Sequence, residues 1–266
     1  MNYKTLGLLK QCILSLKKTI RRTPYEIIVI DSESDGDAPR ALGREFPGVR
    51  CFPYRENTGY GRGVNEGIRR ASGDYFLILN PDIIVQEHAV DSAVSFMEGE
   101  GRRLGIGMLG PKLLNPDGTF QPSAFRFYTP LTILLRRTFL GRLPFFKRHI
   151  DRFLMKDKHL EASHQVQYAD WVRGGALCAS REAIEKVGLM DERFFMYFED
   201  VDWARRFWEN GYKVAYYPKS ALYHQYLRTS HRFGVLDLFL NKMARFHIAS
   251  ALKYFWKYRF RTTHYV

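Results

Sequence analysis

Three acidic stretches and one histidine in this chain have the types and spacing that chemistry would need. "YEIIVIDS" closes a β-branched run on Asp31 and Ser32, and "YFLILNPD" closes another on Asn80 and Asp82. "YFEDVDWARRF" opens a helical pattern with Glu199, Asp200 and Asp202, and His224 stands in "ALYHQ". Asp82 suits a hard cation such as Mg2+, which takes carboxylate oxygens while keeping waters and substrate phosphates. Carboxylates beside Phe195, Tyr197, Phe198 and Trp203 are partly desolvated, which raises their pKa and fits a general base. Asp202 and Arg206 stand four apart on one helical face, so Asp202 is read as a structural ion pair and Asp200 as the catalytic carboxylate.

Each group also has a plain structural use. Asp31 and Ser32 can cap the next helix, and Asn80-Pro81-Asp82 can be a turn. Acids at a helix start complement its dipole, and a single histidine is commonly a satisfied polar group. "RENTGYGRGVNEGI" places Gly59, Gly61 and Gly63 ahead of a helix. That lets backbone approach a phosphate or sugar, but the spacing is neither a P-loop nor a dinucleotide fingerprint.

The elements that must position these groups alternate. Apolar runs at 25–31, 49–54 and 75–80 read as strands, and 6–19, 65–71 and 88–99 read as helices. That order predicts an α/β fold with a mostly parallel sheet covered on both faces. Ligands of such sheets bind beyond the carboxyl ends of the strands, where Asp31 and Asp82 fall. Residues 104–128 read as a strand and a turn at "NPDG". In 166–225 a strand precedes the pair Gly174 and Gly175 and a helix follows it, a second helix stops at Gly211, and "KVAYYP" and "ALYHQ" read as two short strands. From Val235 onward, apolar residues recur at helical spacing, predicting an amphipathic helical tail.

The chain has 266 residues, 45% of them hydrophobic, enough for a sizeable core. No apolar run is long enough to cross a membrane, and the charged start lacks a signal-peptide pattern. The three scattered cysteines read as core residues in a reducing compartment. The net charge of +13 is concentrated in two stretches. Residues 136–158 carry eight Lys/Arg against Asp151 and Asp157, and 226–266 carry eight against Asp237. A nucleic-acid binder would carry basic residues across its folded core, and this one does not. The basic, aromatic stretch 129–165 reads as a mobile or membrane-facing insertion.

Taken in order, "NYKT", "YEIIVIDSESDG", "RENTGYGRGVNEGI", "GDYFLILNPD", "GPKLLNPDG", "WVRGGALCASREAIEKVGLMDERFFMYFEDVDWARRFWENGYKVAYYP" and "LYHQ" resemble the family-2 inverting nucleotide-sugar glycosyltransferases. The rhamnosyltransferase-like branch, which builds bacterial cell-surface polysaccharides, is the part resembled. The resemblance implies a GT-A fold over 1–225: a nucleotide-binding half at 1–115, an acceptor and catalytic half at 166–225, and a basic tail at 226–266. It implies that Asp31 and Ser32 contact the nucleotide, and that Asn57, Gly59, Gly63 and Asn65 line its pocket. Asn80, Gly174, Gly175 and Glu199 would face the donor sugar. Asp82 and His224 would hold a divalent metal, Mg2+ or Mn2+, against the diphosphate, and Asp200 would deprotonate the acceptor hydroxyl. The implied partners are a dTDP- or UDP-linked sugar, a polyprenyl-diphosphate-linked or glycan acceptor, and an anionic membrane surface, with no nucleic acid. The implied location is cytoplasmic, at the inner face of the membrane.

Two departures stand out. Asn80 occupies a position where the family often has Asp. Family members also open with an apolar strand, and Met1 sits where that strand would end, so the first strand is expected to be truncated. A truncated, inactive transferase-like scaffold is therefore the alternative reading. For the tail, with Lys253, Lys257 and Arg259 among Phe255, Trp256 and Phe260, the alternatives are an anionic interface or a helix packed on the core.

Overall fold

The computed structural model describes residues 1–225 and 241–266. Its strands are β1 (Ile27–Ser32), β2 (Val49–Tyr54), β3 (Tyr75–Leu79), β4 (Ile83–Val85), β5 (Ile106–Leu114), β6 (Phe120–Gln121), β7 (Ala124–Phe125), β8 (Gln167–Tyr168), β9 (Trp171–Val172), β10 (Ala176–Ser180) and β11 (Lys213–His224). The helices are α1 (Leu6–Thr19), α2 (Asp37–Glu45), α3 (Tyr60–Arg70), α4 (Ala89–Phe96), α5 (Pro130–Arg137), α6 (Pro144–Phe153), α7 (Arg181–Val187), α8 (Glu199–Glu209) and α9 (Lys242–Lys257).

The alternating pattern folds as expected into an α/β architecture. β1 and β2 run parallel, as do β5 and β11. A larger sheet has the order β3-β10-β5-β11-β4, and within it β10 lies antiparallel between β3 and β5. The main strand of the "YADWVRGGALCAS" segment thus follows the glycine pair, where sequence patterning had placed it ahead. "KVAYYP" and "ALYHQ" form one strand with a bulge, not two. The stretch 129–165 is not an unstructured insertion: α5 and α6 pack together and bury Leu135 and Phe153. A double threonine capping box and Pro130 start α5, and Pro144 starts α6. Their shortness is why periodicity did not reveal them.

The core is one aromatic-rich cluster in which Trp203, Phe207, Trp171, Phe125 and Tyr216 are buried. Smaller clusters lie under α1 and α4. β1 and β2 form one sheet, the larger sheet is separate from it, and β7 pairs with β9 in a third. Between β1 and β3 lies a cavity of about 590 Å3, lined by Ile28, Ile30, Leu77, Leu79, Cys12 and Val64, with Met1 also on its wall. Asn2 bridges to β1, donating to the Ile30 carbonyl at 2.8 Å and accepting from the Ser32 amide at 2.9 Å. The Met1 amine donates to the Leu79 carbonyl at 3.1 Å.

Candidate active site

The strand order carries the scattered polar groups to one edge. β10 runs antiparallel to β3, and the pairing continues past Leu79 as the Asn80 amide donates to the Gly175 carbonyl at 2.8 Å. Gly175 is tightly placed: a Cβ there would lie 3.0 Å from Asn80 Nδ2, so the Asn80 amide would have to give way. The neighbouring Gly174 meets α8: its amide donates to Asp200 Oδ2 at 2.9 Å. A Cβ at Gly174 would lie 3.0 Å from the Asp200 Cβ. The glycine pair is therefore the joint between the Asn80–Asp82 turn and the Asp200 carboxylate.

Asp200 opens α8 from an unusual backbone. Tyr197 and Phe198 both have φ of 68°, a left-handed conformation that bulky L-residues rarely adopt. Packing holds them there. Phe198 lies against Tyr128, Tyr254 and Phe255, and Tyr197 meets the His247 ring. The Val201 amide donates to Asp200 Oδ1 at 2.9 Å, so both carboxylate oxygens are held by backbone donors. Burial pushes Asp200 above the usual carboxylate range, against the opposing pull of those amides and of Arg173. Glu199 is more deeply buried, with Oε2 lacking a partner among the described residues. Burial and the Asp200 charge push it well above its ordinary value. The two adjacent carboxyls titrate as a pair, both pushed up by burial and Glu199 the further of the two.

Tyr60 ties these parts together, and sequence reasoning missed it. Its hydroxyl donates to the Gly174 carbonyl, and its phenol is pushed up by burial and by the charges of Glu199, Asp200 and Asp82. All three acids therefore lie within electrostatic reach of one phenol. The tyrosine sits inside "NTGYGRG", where the glycines drew the attention.

Asp82 and His224 come together at the paired ends of β4 and β11, with Asp82 Oδ2 3.3 Å from His224 Nε2. Gln121, at the end of β6, is within 2.6 Å of His224 Nδ1 through its side-chain oxygen. An amide oxygen can only accept, so Nδ1 carries the hydrogen and a neutral ring turns the Nε2 lone pair toward the Asp82 carboxylate. Two acceptors at that distance need a cation or a proton between them. Asp82 Oδ1 is buried without a partner among the described residues, an orphan that a cation would satisfy. These residues fit a divalent ion. No cluster of three or more His, Cys, Asp or Glu side chains occurs among the described residues. Nothing in the spacing of Gln121 pointed to it.

The remaining sequence candidates have internal partners. Asp31 is buried and accepts from Asn2 Nδ2 at 2.6 Å, and Ser32 Oγ accepts from the Thr58 amide at 2.9 Å. Asn57 Oδ1 accepts from the Gly59 amide at 3.0 Å, a local turn that shapes the glycine loop. Gly59 has a φ of 73°, and a Cβ there would meet the Phe195 carbonyl at 2.6 Å. Gly63 faces Met1, whose sulfur a Cβ would strike. The structure gives Asn65 a different task from lining a pocket. Its amide both donates to and accepts from Met190, and it reaches Glu192, pinning α3 to the segment before α8.

The tail closes over the back of α8. Asp202 is fully buried and accepts from Arg206 at 3.0 Å, Lys257 at 2.6 Å and Tyr258 at 2.9 Å. The predicted Asp202–Arg206 pair is present, joined by two partners from the far end of the chain. The tail helix buries Ala251, Tyr254 and Phe255 in the core, leaving Leu252, Trp256 and Phe260 exposed. The apolar positions Leu236, Phe239 and Leu240 of the expected helix lie outside the described residues.

Comparison with known proteins places this arrangement in context. The model of Glycosyl transferase family 2 matches residues 2–162, and that of Glycosyl transferase family group 2 matches 123–265. The N-acetylglucosaminyl-diphospho-decaprenol L-rhamnosyltransferase of Mycobacterium tuberculosis is 30% identical over 230 residues, 81% of this chain and 71% of that protein. Rhamnosyltransferase WbbL of Escherichia coli K12 is 24% identical over 239 residues, covering 86% of this chain and 81% of its own. The structure of GalNAc-T7 with UDP, GalNAc and Mn2+ superposes with a TM-score of 0.61 at 17% identity, over 83% of this chain and 41% of that one. Mannosyltransferase PcManGT from Pyrobaculum calidifontis, bound to GDP-Man and Mn2+, gives 0.58 at 16% identity, over 95% and 62%. These two likenesses show a shared GT-A fold.

Proposed function

Because the chain belongs to glycosyl transferase family 2, we propose that it moves a hexose from a nucleoside-diphosphate sugar to a hydroxyl of a lipid-linked glycan, with inversion at the anomeric carbon. The observation that carries this reading is the Asp200 carboxylate, fixed by the Gly174 and Val201 amides on the edge that also holds Asp82 and His224. The relatives' names support rhamnose as the sugar and a polyprenyl-diphosphate-linked acceptor. A dTDP- or UDP-linked donor and a place at the inner face of the membrane complete the reading. Asp200 accepts the proton of the attacking hydroxyl, and its raised pKa brings its basicity nearer to neutral pH. Glu199 stays protonated beside it, so a single negative charge faces the acceptor. Tyr60 holds the Gly174 carbonyl, which keeps the amide of that residue aimed at Asp200.

Asp82 and His224 would hold Mg2+ or Mn2+, with Gln121 fixing the imidazole tautomer. The bound ion would offset charge on the departing diphosphate. Asn80, one turn-residue away, is an amide and adds no charge to that site. The inactive-scaffold alternative draws on Asn80.

The deciding experiment incubates the protein with dTDP-rhamnose and other nucleotide sugars, a polyprenyl-diphosphate-N-acetylglucosamine analogue, and Mg2+ or Mn2+. A glycosylated product of inverted anomeric configuration is expected. Donor binding without turnover across the panel would favour the scaffold. Chelation should abolish turnover, and Asp82→Asn should raise the metal concentration needed for half-maximal rate by about 10–100-fold, the range for disturbed metal sites. An unchanged metal titration in that variant would remove Asp82 from the metal site.

A further inference from the structure

We propose that the α5–α6 hairpin is a bilayer-docking wedge that seats the enzyme on an anionic lipid surface. This deepens the lipid-linked acceptor reading and rests on it for its purpose. The sequence offers both this stretch and the tail as membrane contacts, and the structure favours the hairpin. The tail buries Tyr254 and Phe255, and Lys257 is paired with Asp191 and Asp202.

The hairpin, in contrast, spends little of its surface on the protein. Leu131, Leu134, Phe139, Leu143 and Phe145 are all exposed within fifteen residues, with Phe145 at 92% and Phe139 at 71%. Apolar exposure this concentrated marks a contact site. Around it lie Arg142, Lys147 and Arg148, exposed and without an acidic partner among the described residues. Both acids of the basic stretch are occupied elsewhere: Asp151 pairs with Lys156 and Asp157 with Arg126.

The chemistry selects the occupant. A second copy would bring an equally cationic face against this one, and like charges repel. Nucleic acid would use aromatic stacking platforms, whereas three of the five exposed side chains are leucines. Anionic lipid offers both an apolar layer for Phe139 and Phe145 and headgroups for the arginines and lysine. α6 has ten residues, about 15 Å, too short to span a bilayer and suited to lying in its interface.

The test is co-sedimentation with vesicles of phosphatidylcholine containing phosphatidylglycerol, against pure phosphatidylcholine, at low and high salt. The full chain should bind the anionic vesicles, more weakly at high salt. Phe139→Ser/Phe145→Ser and Arg142→Glu/Arg148→Glu should each lower partitioning at least about tenfold, with transfer to a water-soluble acceptor unchanged. Wild-type-like binding by both variants would overturn the proposal. So would loss seen only in Trp256→Ser, or absence of vesicle binding with concentration-dependent self-association in its place. Failure of transfer to the soluble acceptor in every variant would strike the transferase reading and leave the vesicle result standing.

Discussion

Asp200→Asn is expected to lower turnover by about 10²–10⁴-fold, the usual contribution of a positioned general base, with donor affinity changed little. The substitution keeps the shape, so Asn Oδ1 can still accept from one of the two amides that hold the carboxylate. What it removes is the basic oxygen. The rate–pH profile is the second readout. Burial raises the Asp200 pKa, so activity should fall with acidification at a pH above the ordinary aspartate value of about 3.9. Glu199→Gln separates the two carboxyls. It leaves Asp200 the same neutral neighbour that a protonated Glu199 provides, so the acid limb should stay in place. A limb that moves would mean that Glu199 carries charge beside Asp200. Full turnover in Asp200→Asn would assign the base elsewhere.

Asp202→Ala should cost about 3–5 kcal/mol of stability, the loss typical when one partner of a buried ion pair is removed. The size follows from what is stranded. Arg206 would keep only the Val187 and Leu189 carbonyls, and Lys257 would keep Asp191. Chemical denaturation would measure it, and a double-mutant cycle with Lys257→Met would isolate the coupling between α8 and the tail. A loss under about 1 kcal/mol would mean that water compensates the stranded cations.

Much of this was legible before any coordinates. The apolar runs ending in Asp31 and Asp82 announced strands with carboxylates at their ligand edge. "FEDVD" announced a helix start whose first acids differ in role from Asp202. The missing information was long-range. Asp200 meets Gly174 across 26 positions, and Asn2 meets Asp31 across 29, neither of which follows from periodicity. Tyr60 and Gln121 carry no motif of their own and acquire meaning only from what faces them. Asn65 shows the converse error: a polar residue beside a glycine loop, read as a ligand contact, serves packing because Met190 and Glu192 reach it first. The tail posed a limit of another kind. An apolar stripe buries itself equally well in a bilayer or in a core, and the pattern is the same for both.

The left-handed pair Tyr197–Phe198 ties that tail to the chemistry. Each residue in such a conformation stores on the order of 1–3 kcal/mol, sustained by the packing around it. Part of that packing comes from the rings of His247, Tyr254 and Phe255. The turn that presents Asp200 is therefore upheld in part from the far end of the chain, so a substitution that loosens the tail helix acts on the start of α8 as well as on its own packing.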